Sequence, residues 1–124
     1  MSVKVELAEL AARIGEYGFA YLITVGDEGK AHVVAVTPEV TGGGIVLGGA
    51  GRHTLANAES NPIATLVWPP TEPGGYSLIV DGTTSGDADA ATVTVSPTRA
   101  ILHRPAPGED GKRVGNDCQE IDLR

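Results

Sequence analysis

The stretch GGAGRHTLANAESNP, residues 48–62, joins a glycine-rich loop to a short helix within a chain of β-type segments. The part TLANAES, residues 54–60, has the composition of a short helix. Asn61 ends this helix, because a residue that precedes proline is pushed out of the helical region. Arg52 and His53 stand immediately before it. The stretch therefore predicts a helix between two strands, with a cation at its start.

The start of this helix has the chemistry of an anion site. The first amides of a helix lack backbone partners and carry partial positive charge, while Arg52 adds a two-pronged donor and Thr54 a hydroxyl. Neither GxxxxGK[ST] nor GxGxxG fits the loop, since the first lacks its lysine and the second needs glycine at Thr54. A nucleotide triphosphate site is therefore not predicted. The alternative is structural: the glycines form a tight turn, Thr54 caps the helix and Arg52 is solvated.

Six β-type segments surround this helix, and no βαβ alternation joins them. They are predicted at residues 19–25, 30–36, 45–49, 63–68, 76–85 and 92–104. Gly82 predicts a bulge, with a turn at Asp81–Gly82 as the alternative, and Pro97 predicts a kink. An amphipathic helix is expected within residues 3–18. The pattern predicts a mostly β fold, an antiparallel six-stranded sheet curled into a barrel with two short helices.

The composition fits one small domain. With 124 residues, 41% of them hydrophobic, the chain is long enough for one core and too short for two domains. We expect the domain to span residues 1–104 and the polar segment 105–124 to form a C-terminal tail. A domain of this size buries only about two-thirds of its unfolded surface, so a homodimer is expected.

The charge balance and the cysteine content argue against several classes of protein. Nine Lys+Arg against 16 Asp+Glu give a formal net charge of -7, which disfavours nucleic acid as a partner. The single cysteine, Cys118, permits no intrachain disulfide and fits a reducing compartment. No apolar run approaches the length of a membrane span. We expect a cytoplasmic protein that binds neither nucleic acid nor membranes.

The sequence contains no recognisable set of side chains for metal-assisted or nucleophilic catalysis, and no catalytic residue is identified. His32, His53 and His103 are far apart in the chain, so no metal site is predicted. No GxSxG elbow surrounds a serine and Cys118 has no evident base, which disfavours hydrolases. Trp68 is expected to pack at the end of a sheet or, alternatively, to form a lip over a planar ligand.

The order of helix, hairpin, third strand, short helix ending in Asn-Pro, and strand resembles the FMN-binding split-barrel family related to pyridoxamine 5′-phosphate oxidase. The matching segments are YLITVGDEGKAHVVAVTPEV, GGIVLGG, RHTLANAESNPIATLVW and YSLIVDGTTS. The resemblance extends to about Arg104 and rests on the order and spacing of loose motifs. It implies a homodimeric split barrel with the flavin bound at the subunit interface.

The resemblance also implies ligands for the FMN phosphate. In the family, a pattern like S-x-K-x-x-N-L-x-x-N-P holds this phosphate before the short helix. Arg52 and Thr54 occupy the two ligand positions, and Asn57 occupies the first asparagine. His53 lies beside them. The basic and hydroxyl residues have exchanged places relative to the family, so the charge is kept and its reach is changed.

Further residues are implied at the flavin ring. Val33, Val34, Ala35 and Val36 correspond to strand residues that line the ring, and Ala35 stands where proline is common. Trp68 and the His103–Arg104 end of the last strand are candidates to reach a flavin across the interface. The R-P-x-x-W element of the vitamin oxidases is incomplete, since Ala106-Pro107-Gly108 follows Arg104-Pro105.

The implied function is an FMN-dependent oxidoreductase that moves electrons or hydride to or from a small, unidentified substrate. The flavin supplies the redox chemistry, and the protein supplies position and tuning. Two alternatives stay open. In the first, the protein has this fold and uses the deazaflavin F420 as a dissociable cosubstrate. In the second, the protein is a non-catalytic module that binds flavin, haem or nothing.

Overall fold

The structure, a computed structural model, describes residues 2–42 and 44–105. Within these ranges the chain forms eight strands, one 3₁₀ turn and two α-helices. The strands are β1 Ser2–Lys4, β2 Ala20–Val25, β3 Ala31–Val36, β4 Glu39–Thr41, β5 Gly44–Leu47, β6 Ile63–Trp68, β7 Ser77–Asp87 and β8 Thr92–His103. The 3₁₀ turn, Leu7–Glu9, leads into α1, Leu10–Ile14, and α2 spans Arg52–Ser60.

All strands belong to one antiparallel sheet. Seven of them follow the order β3-β2-β6-β7-β8-β5-β4, and β1 also pairs with β8. The long strand β8 pairs with β7 along one edge. Its other edge pairs with β5 at residues 93–95 and with β1 at residues 101–103. Strand β8 therefore connects the two halves of the sheet.

The core follows from the two-residue period of the strands. Along β6, in β7 as far as Gly82 and at both ends of β8, buried residues alternate with partly or fully exposed ones. The α1 residues Leu10 and Ile14 add to this core. The largest fully buried side chains are Trp68, Leu22, Ile45, Leu47, Leu66, Leu78, Val80, Val93, Val95 and Thr24. The buried face of the sheet thus supplies most of the apolar burial that holds the domain together.

The predicted irregularity at Gly82 is confirmed, and the alternative turn at Asp81–Gly82 is wrong because β7 runs through it. Asp81 pairs with Arg99 and Gly82 with Pro97, so Thr98 is an extra residue on β8. A Cβ on Gly82 would lie only 2.5 Å from the Ser96 carbonyl oxygen. Glycine is therefore required where the two strands approach most closely.

The sheet has eight strands rather than the predicted six. β1 lies where the N-terminal helix was expected to begin, because residues 2–4 pair with the end of β8. β4 lies between the predicted strands 30–36 and 45–49, and it forms because it folds back on β5 through pairs such as Val40 with Ile45. Both short strands satisfy backbone groups through partners distant in sequence or across a tight turn, which a local pattern does not reveal.

Helix α2 begins at Arg52, two residues before its predicted start. The C-terminal tail predicted at 105–124 lies outside the described residues from 106 onward, and so does Cys118. No helix in the described part of the chain is long and apolar enough to cross a membrane.

Substituting Gly82 with alanine is expected to lower the free energy of unfolding by about 1–3 kcal/mol, because the added methyl overpacks β8. Gly18→Ala is the matched control, since nothing lies within 4 Å of its new Cβ. The control is expected to change stability by less than about 0.5 kcal/mol. Urea unfolding measures both. Equal effects of the two substitutions would contradict the close approach at Gly82.

Candidate functional site

A cleft of about 870 Å³ lies where the two ends of the curled sheet meet. Strand β3 stands at one end of the strand order and β4 at the other, and both contribute residues to this cleft. The first turn of α2 and the glycine loop before it complete the lining. The cleft is therefore a product of the curl of the sheet and of the position of α2.

Most of the cleft wall is apolar. His32, Val34 and Val36 project from the same face of β3, because side chains alternate along a strand, and all three line the cleft. Val46 and Leu47 of β5 also contribute to the lining of the cleft. A slot with apolar walls of this kind suits a flat aromatic ligand.

The polar end of the cleft consists of His32, Arg52, His53 and Thr54. Three of these residues are consecutive in the first turn of α2, and the His32 ring lies 5.9 Å from the His53 ring, centroid to centroid. Arg52 forms no ion pair with a carboxylate of the described residues. This end therefore concentrates hydrogen-bond donors and positive charge in a chain that is acidic overall.

The start of α2 is open to a ligand. Gly51 is the N-cap, and no side chain caps the helix. The amide of Leu55 donates to the Gly51 carbonyl at 3.0 Å, so the amides of residues 52–54 have no acceptor within the helix. Thr54 is the third helical residue and does not cap α2, which removes the structural alternative considered for it. The uncapped amides favour an anion at this position.

The glycine loop before α2 is held in place by a strand-end contact. The amide of Ala50 donates to the carbonyl of Ala91 at 2.8 Å. Gly49 has a φ of 68°, a left-handed conformation that favours glycine. Ala91 itself has a φ of 53°, which is unusual for a residue with a side chain. The loop is thus positioned by the β7–β8 hairpin.

Asn57 positions α2 rather than lining the cleft. Its side-chain amide donates to the hydroxyl of Thr24 at 3.2 Å, and Thr24 is fully buried on β2. Near the C-terminal end of α2, the hydroxyl of Thr84 on β7 donates to the Ala58 carbonyl at 3.1 Å. These two hydrogen bonds tie the helix to β2 and β7, which sets where its first turn meets the cleft.

The structure separates the other residues predicted for the site. Val34 and Val36 point into the cleft and Ala35 borders it, whereas Val33 faces the outer surface and is 54% exposed. Trp68 does not line the cleft. Its side chain has no exposed surface and its indole nitrogen has no hydrogen-bond partner among the described residues, so Trp68 is a core residue. The packing interpretation of Trp68 thus fits the structure, and the lip interpretation does not.

The His103–Arg104 end of β8 lies away from the cleft. Arg104 stacks over the Tyr76 ring at 4.3 Å and contacts the Gly74 carbonyl at 3.5 Å. Tyr17 donates its hydroxyl to the Tyr76 carbonyl at 3.0 Å. Burial, assisted by the charge of Glu16, raises the pKa of the Tyr17 hydroxyl and so keeps it a donor.

Two histidines that are far apart in the sequence are neighbours in the cleft. His32 and His53 are 21 positions apart in the chain yet adjacent in space. His103 is elsewhere, with its Nδ1 3.1 Å from the Ser2 hydroxyl. No group of three or more metal-ligating side chains occurs in residues 2–42 and 44–105. The cleft is also lined by residues that no sequence pattern predicted, because only closure of the sheet places them there: Phe19, Glu39, Val46 and Leu47.

No protein-family model matches the chain. Among curated proteins, it is 44% identical over 129 residues to Uncharacterized protein Mb0449c of Mycobacterium bovis and equally to Uncharacterized protein MT0457 of Mycobacterium tuberculosis. In each case the match covers 93% of this chain and 90% of the relative.

Similar solved structures share the fold at low sequence identity. A putative pyridoxamine 5′-phosphate oxidase from Listeria innocua has a TM-score of 0.62 at 13% identity, covering 77% of this chain and 95% of that one. A protein described as F420 Reductase has a TM-score of 0.60 at 17% identity, covering 77% and 97%. The heme storage protein HutZ from Vibrio cholerae has a TM-score of 0.59 at 12% identity, covering 77% and 92%.

These structural likenesses establish architecture alone, because one fold hosts many activities. The antiparallel sheet and the two short helices agree with that architecture. The chain therefore belongs to the same family as the two mycobacterial proteins and has the split-barrel fold of the pyridoxamine 5′-phosphate oxidase-like proteins.

Proposed function

We propose that this chain is a cytosolic, homodimeric oxidoreductase that binds FMN in the cleft and acts on a small substrate. One observation carries the proposal: a single cleft has apolar walls and, at one end, an uncapped helix start beside Arg52, which forms no ion pair with residues 2–42 or 44–105. Its volume of about 870 Å³ lies within the usual range for small-molecule sites. An aromatic ligand that ends in a phosphate matches both parts.

Arg52 and Thr54 are the proposed phosphate ligands, with the amides of residues 52–54 as further donors. Arg52 is exposed at the first helical position, while Thr54 is only 4% exposed at the third. The long guanidinium side chain reaches outward and the short hydroxyl stays close to the backbone. This division of reach explains how the two exchanged residues serve one phosphate. His53 lies in the same turn, and Asn57 holds the helix in position.

Strand β3 is the proposed platform for the flavin ring. Val34 and Val36 present apolar side chains to the cleft. Among the described strands β3 pairs only with β2, so its other edge carries backbone groups without a ladder partner. Ala35 retains the N–H that proline would lack. These groups suit the polar edge of a flavin, with Val33 contributing backbone only.

A bound flavin accepts or donates electrons or hydride, and the protein directs that chemistry by position and environment. The residues of this chain bind the phosphate at one end and hold the ring against an apolar wall at the other. The apolar wall also excludes water from the face it covers. No side-chain acid or base of the chain is assigned to the reaction.

A second copy of the chain is the proposed occupant of the outer face of the sheet. Tyr21 is 40% exposed, Val33 54% and Ile63 64%, and the partly buried Ile23 and Val67 lie between them on the same face. Covering this face would remove apolar area that a small domain leaves in water. The face includes β3, whose other side lines the cleft, so a dimer there would border the cleft.

Two rival functions have specific support. Similarity to the protein described as F420 Reductase, together with the exchange of Arg52 and Thr54, supports F420 as a dissociable cosubstrate. Similarity to HutZ, described as a heme storage protein, and the paired His32 and His53 support a non-catalytic haem-binding module. Titration of the purified protein with FMN, F420 and haem, followed by absorbance and fluorescence, distinguishes the three. A protein that binds neither FMN nor F420 would reject both oxidoreductase hypotheses.

Arg52→Ala is expected to weaken FMN binding by about 1.5–3 kcal/mol, or roughly 10–150-fold in Kd, because a charge-assisted hydrogen bond is lost. Fluorescence quenching of FMN measures the Kd. Arg99→Ala is the matched control, since Arg99 pairs with Asp81 at 3.2 Å and does not line the cleft. An Arg52 variant that binds FMN as tightly as the Arg99 control would remove Arg52 from the phosphate site.

Val33→Asp is expected to convert a dimer into a monomer, because it places a charge within the proposed interface. Light scattering coupled to size-exclusion chromatography measures the mass, and circular dichroism checks the fold. Val3→Asp is the control, because Val3 is 45% exposed but lies outside the proposed interface. Its register partner Leu102 is a core residue, so Val3 is on the opposite face of the sheet from Val33. A monomeric parent protein, or a dimer that tolerates Val33→Asp, would contradict this interface.

A further inference from the structure

A continuous apolar row crosses the outer face of the sheet. Tyr21 pairs with Ala35 on β3 and with Val67 on β6. Val67 pairs in turn with Ile79 on β7, and Ile79 pairs with Ile101 on β8. Each of these residues is partly or fully exposed in the single chain. Adjacent strands from β3 to β8 therefore present apolar side chains at the same level of the sheet.

The neighbouring row of the same face ends in a polar network. This row runs from Val33 through Ile23 to Thr65, Asp81 and Arg99. The Thr65 hydroxyl donates to Asp81 Oδ1 at 2.7 Å, and Arg99 Nη1 donates to Asp81 Oδ2 at 3.2 Å. Both oxygens of the carboxylate thus have a partner within the chain. The network is able to lie beneath another surface without leaving a carboxylate oxygen unpaired.

The outer face carries no net formal charge in a chain whose net charge is -7 with histidine counted as neutral. We consider the outward-facing residues of β2, β3 and β6, of β7 up to Gly82, and of β8 from Arg99 onward. They include one carboxylate, Asp81, and one arginine or lysine, Arg99. Two copies of an acidic chain repel each other, and contact through a neutral face keeps that repulsion low. The face therefore fits a second copy better than a strongly charged partner.

The apolar row and the polar network contribute differently to such a contact. The hydrophobic effect is non-directional, so aliphatic side chains pack on a second copy in more than one orientation. A covered carboxylate and guanidinium are more demanding, because an orientation that separates them or leaves Arg99 donors without acceptors costs free energy. The Arg99 side chain is 59% exposed and that of Asp81 36%, so both change environment when the face is covered. The network therefore discriminates between orientations.

We propose that the network of Thr65, Asp81 and Arg99 specifies the orientation in which two copies of this chain meet, while the apolar row supplies the affinity. The inference rests on the proposed function only for the homodimer. None of the three residues lines the cleft, so orientation and flavin binding are measured independently. The network is a partner-specificity element and takes no part in the chemistry of the cleft.

The test measures the affinity and the geometry of the dimer separately. Analytical ultracentrifugation gives the dimer Kd. Pulsed electron paramagnetic resonance gives the distance between spin labels at Glu28→Cys, an exposed position in the β2–β3 turn, in a Cys118→Ser background. We expect one narrow distance distribution for the parent protein. Because Cys118 is the single cysteine, each copy carries one label.

Two variants separate orientation from affinity. Asp81→Asn is expected to weaken the dimer by about 10-fold, because the covered Arg99 loses its compensating charge. Asp81→Leu combined with Arg99→Met removes both charges and is expected to keep the dimer Kd within about 3-fold of the parent or to lower it. In this double variant the distance distribution is expected to broaden or to split, because only the apolar row remains.

Glu16→Gln is the matched control, because it neutralises the carboxylate of the Arg13–Glu16 pair, which lies outside the strands of this face. The control is expected to keep both the dimer Kd and the distance distribution of the parent. Circular dichroism and thermal melting check that each variant folds, and FMN titration is carried out on the same samples.

The outcomes distinguish this inference from the proposed function. A double variant that keeps the narrow distance distribution of the parent overturns the inference, while the dimer and FMN binding stand. A parent protein that dimerises in one orientation, loses it in the double variant and binds no FMN supports the inference and rejects the FMN-dependent function. A parent protein that stays monomeric overturns the inference and the proposed dimer, and leaves the outer face to a different partner.

Discussion

The close approach of β7 and β8 at Gly82 is the constraint on which the site depends. The Ser96 carbonyl lies where a side chain at Gly82 would be, and Thr98 is an extra residue on the facing strand. A bulge of this kind increases local twist and bends the bulged strand. Because β7 leads through β6 and β2 to β3, and β8 leads through β5 to β4, the curl of this pair affects how both ends of the sheet approach each other. The cleft lies where those ends come together.

Helix α2 places hydrogen-bond donors at that junction. Its body is tied to β2 through Asn57 and Thr24 and to β7 through Thr84, which leaves only its first turn at the cleft. The first turn carries Arg52, His53 and three amides without helical acceptors. An acidic protein thereby has a local cluster of hydrogen-bond donors and an arginine at the cleft, while its overall charge disfavours polyanions.

The fold alone does not select the ligand. Similar structures at 12–17% identity include proteins described as an oxidase, a reductase and a heme storage protein. Because one fold hosts many activities, an argument about a ligand depends on the side chains at the polar end of the cleft. In this chain those side chains are a buried threonine, two adjacent histidines and an arginine that forms no ion pair within the described residues. They are consistent with a phosphate-bearing ligand, and the apolar β3 wall is consistent with an aromatic one.

Much of the architecture was predictable from local signals. Strand β6 was predicted with its observed limits, because alternating and β-branched residues stop at Asn61-Pro62 on one side and Pro69-Pro70 on the other. The bulge at Gly82 was predictable because glycine inside a strand marks a close backbone approach. The strands β1 and β4 were not, since their pairing partners, rather than their own residues, determine their conformation.

The sequence by itself determined the succession of strands, the short helix ended by Asn-Pro, and the cation at its start. These depend on backbone preferences and on residues close together in the chain. Only the tertiary structure decided that Trp68 is buried in the core, that Val33 faces outward, and that His32 meets His53. Those outcomes depend on the register and curl of the sheet, which bring distant strands together and choose the face that each side chain occupies.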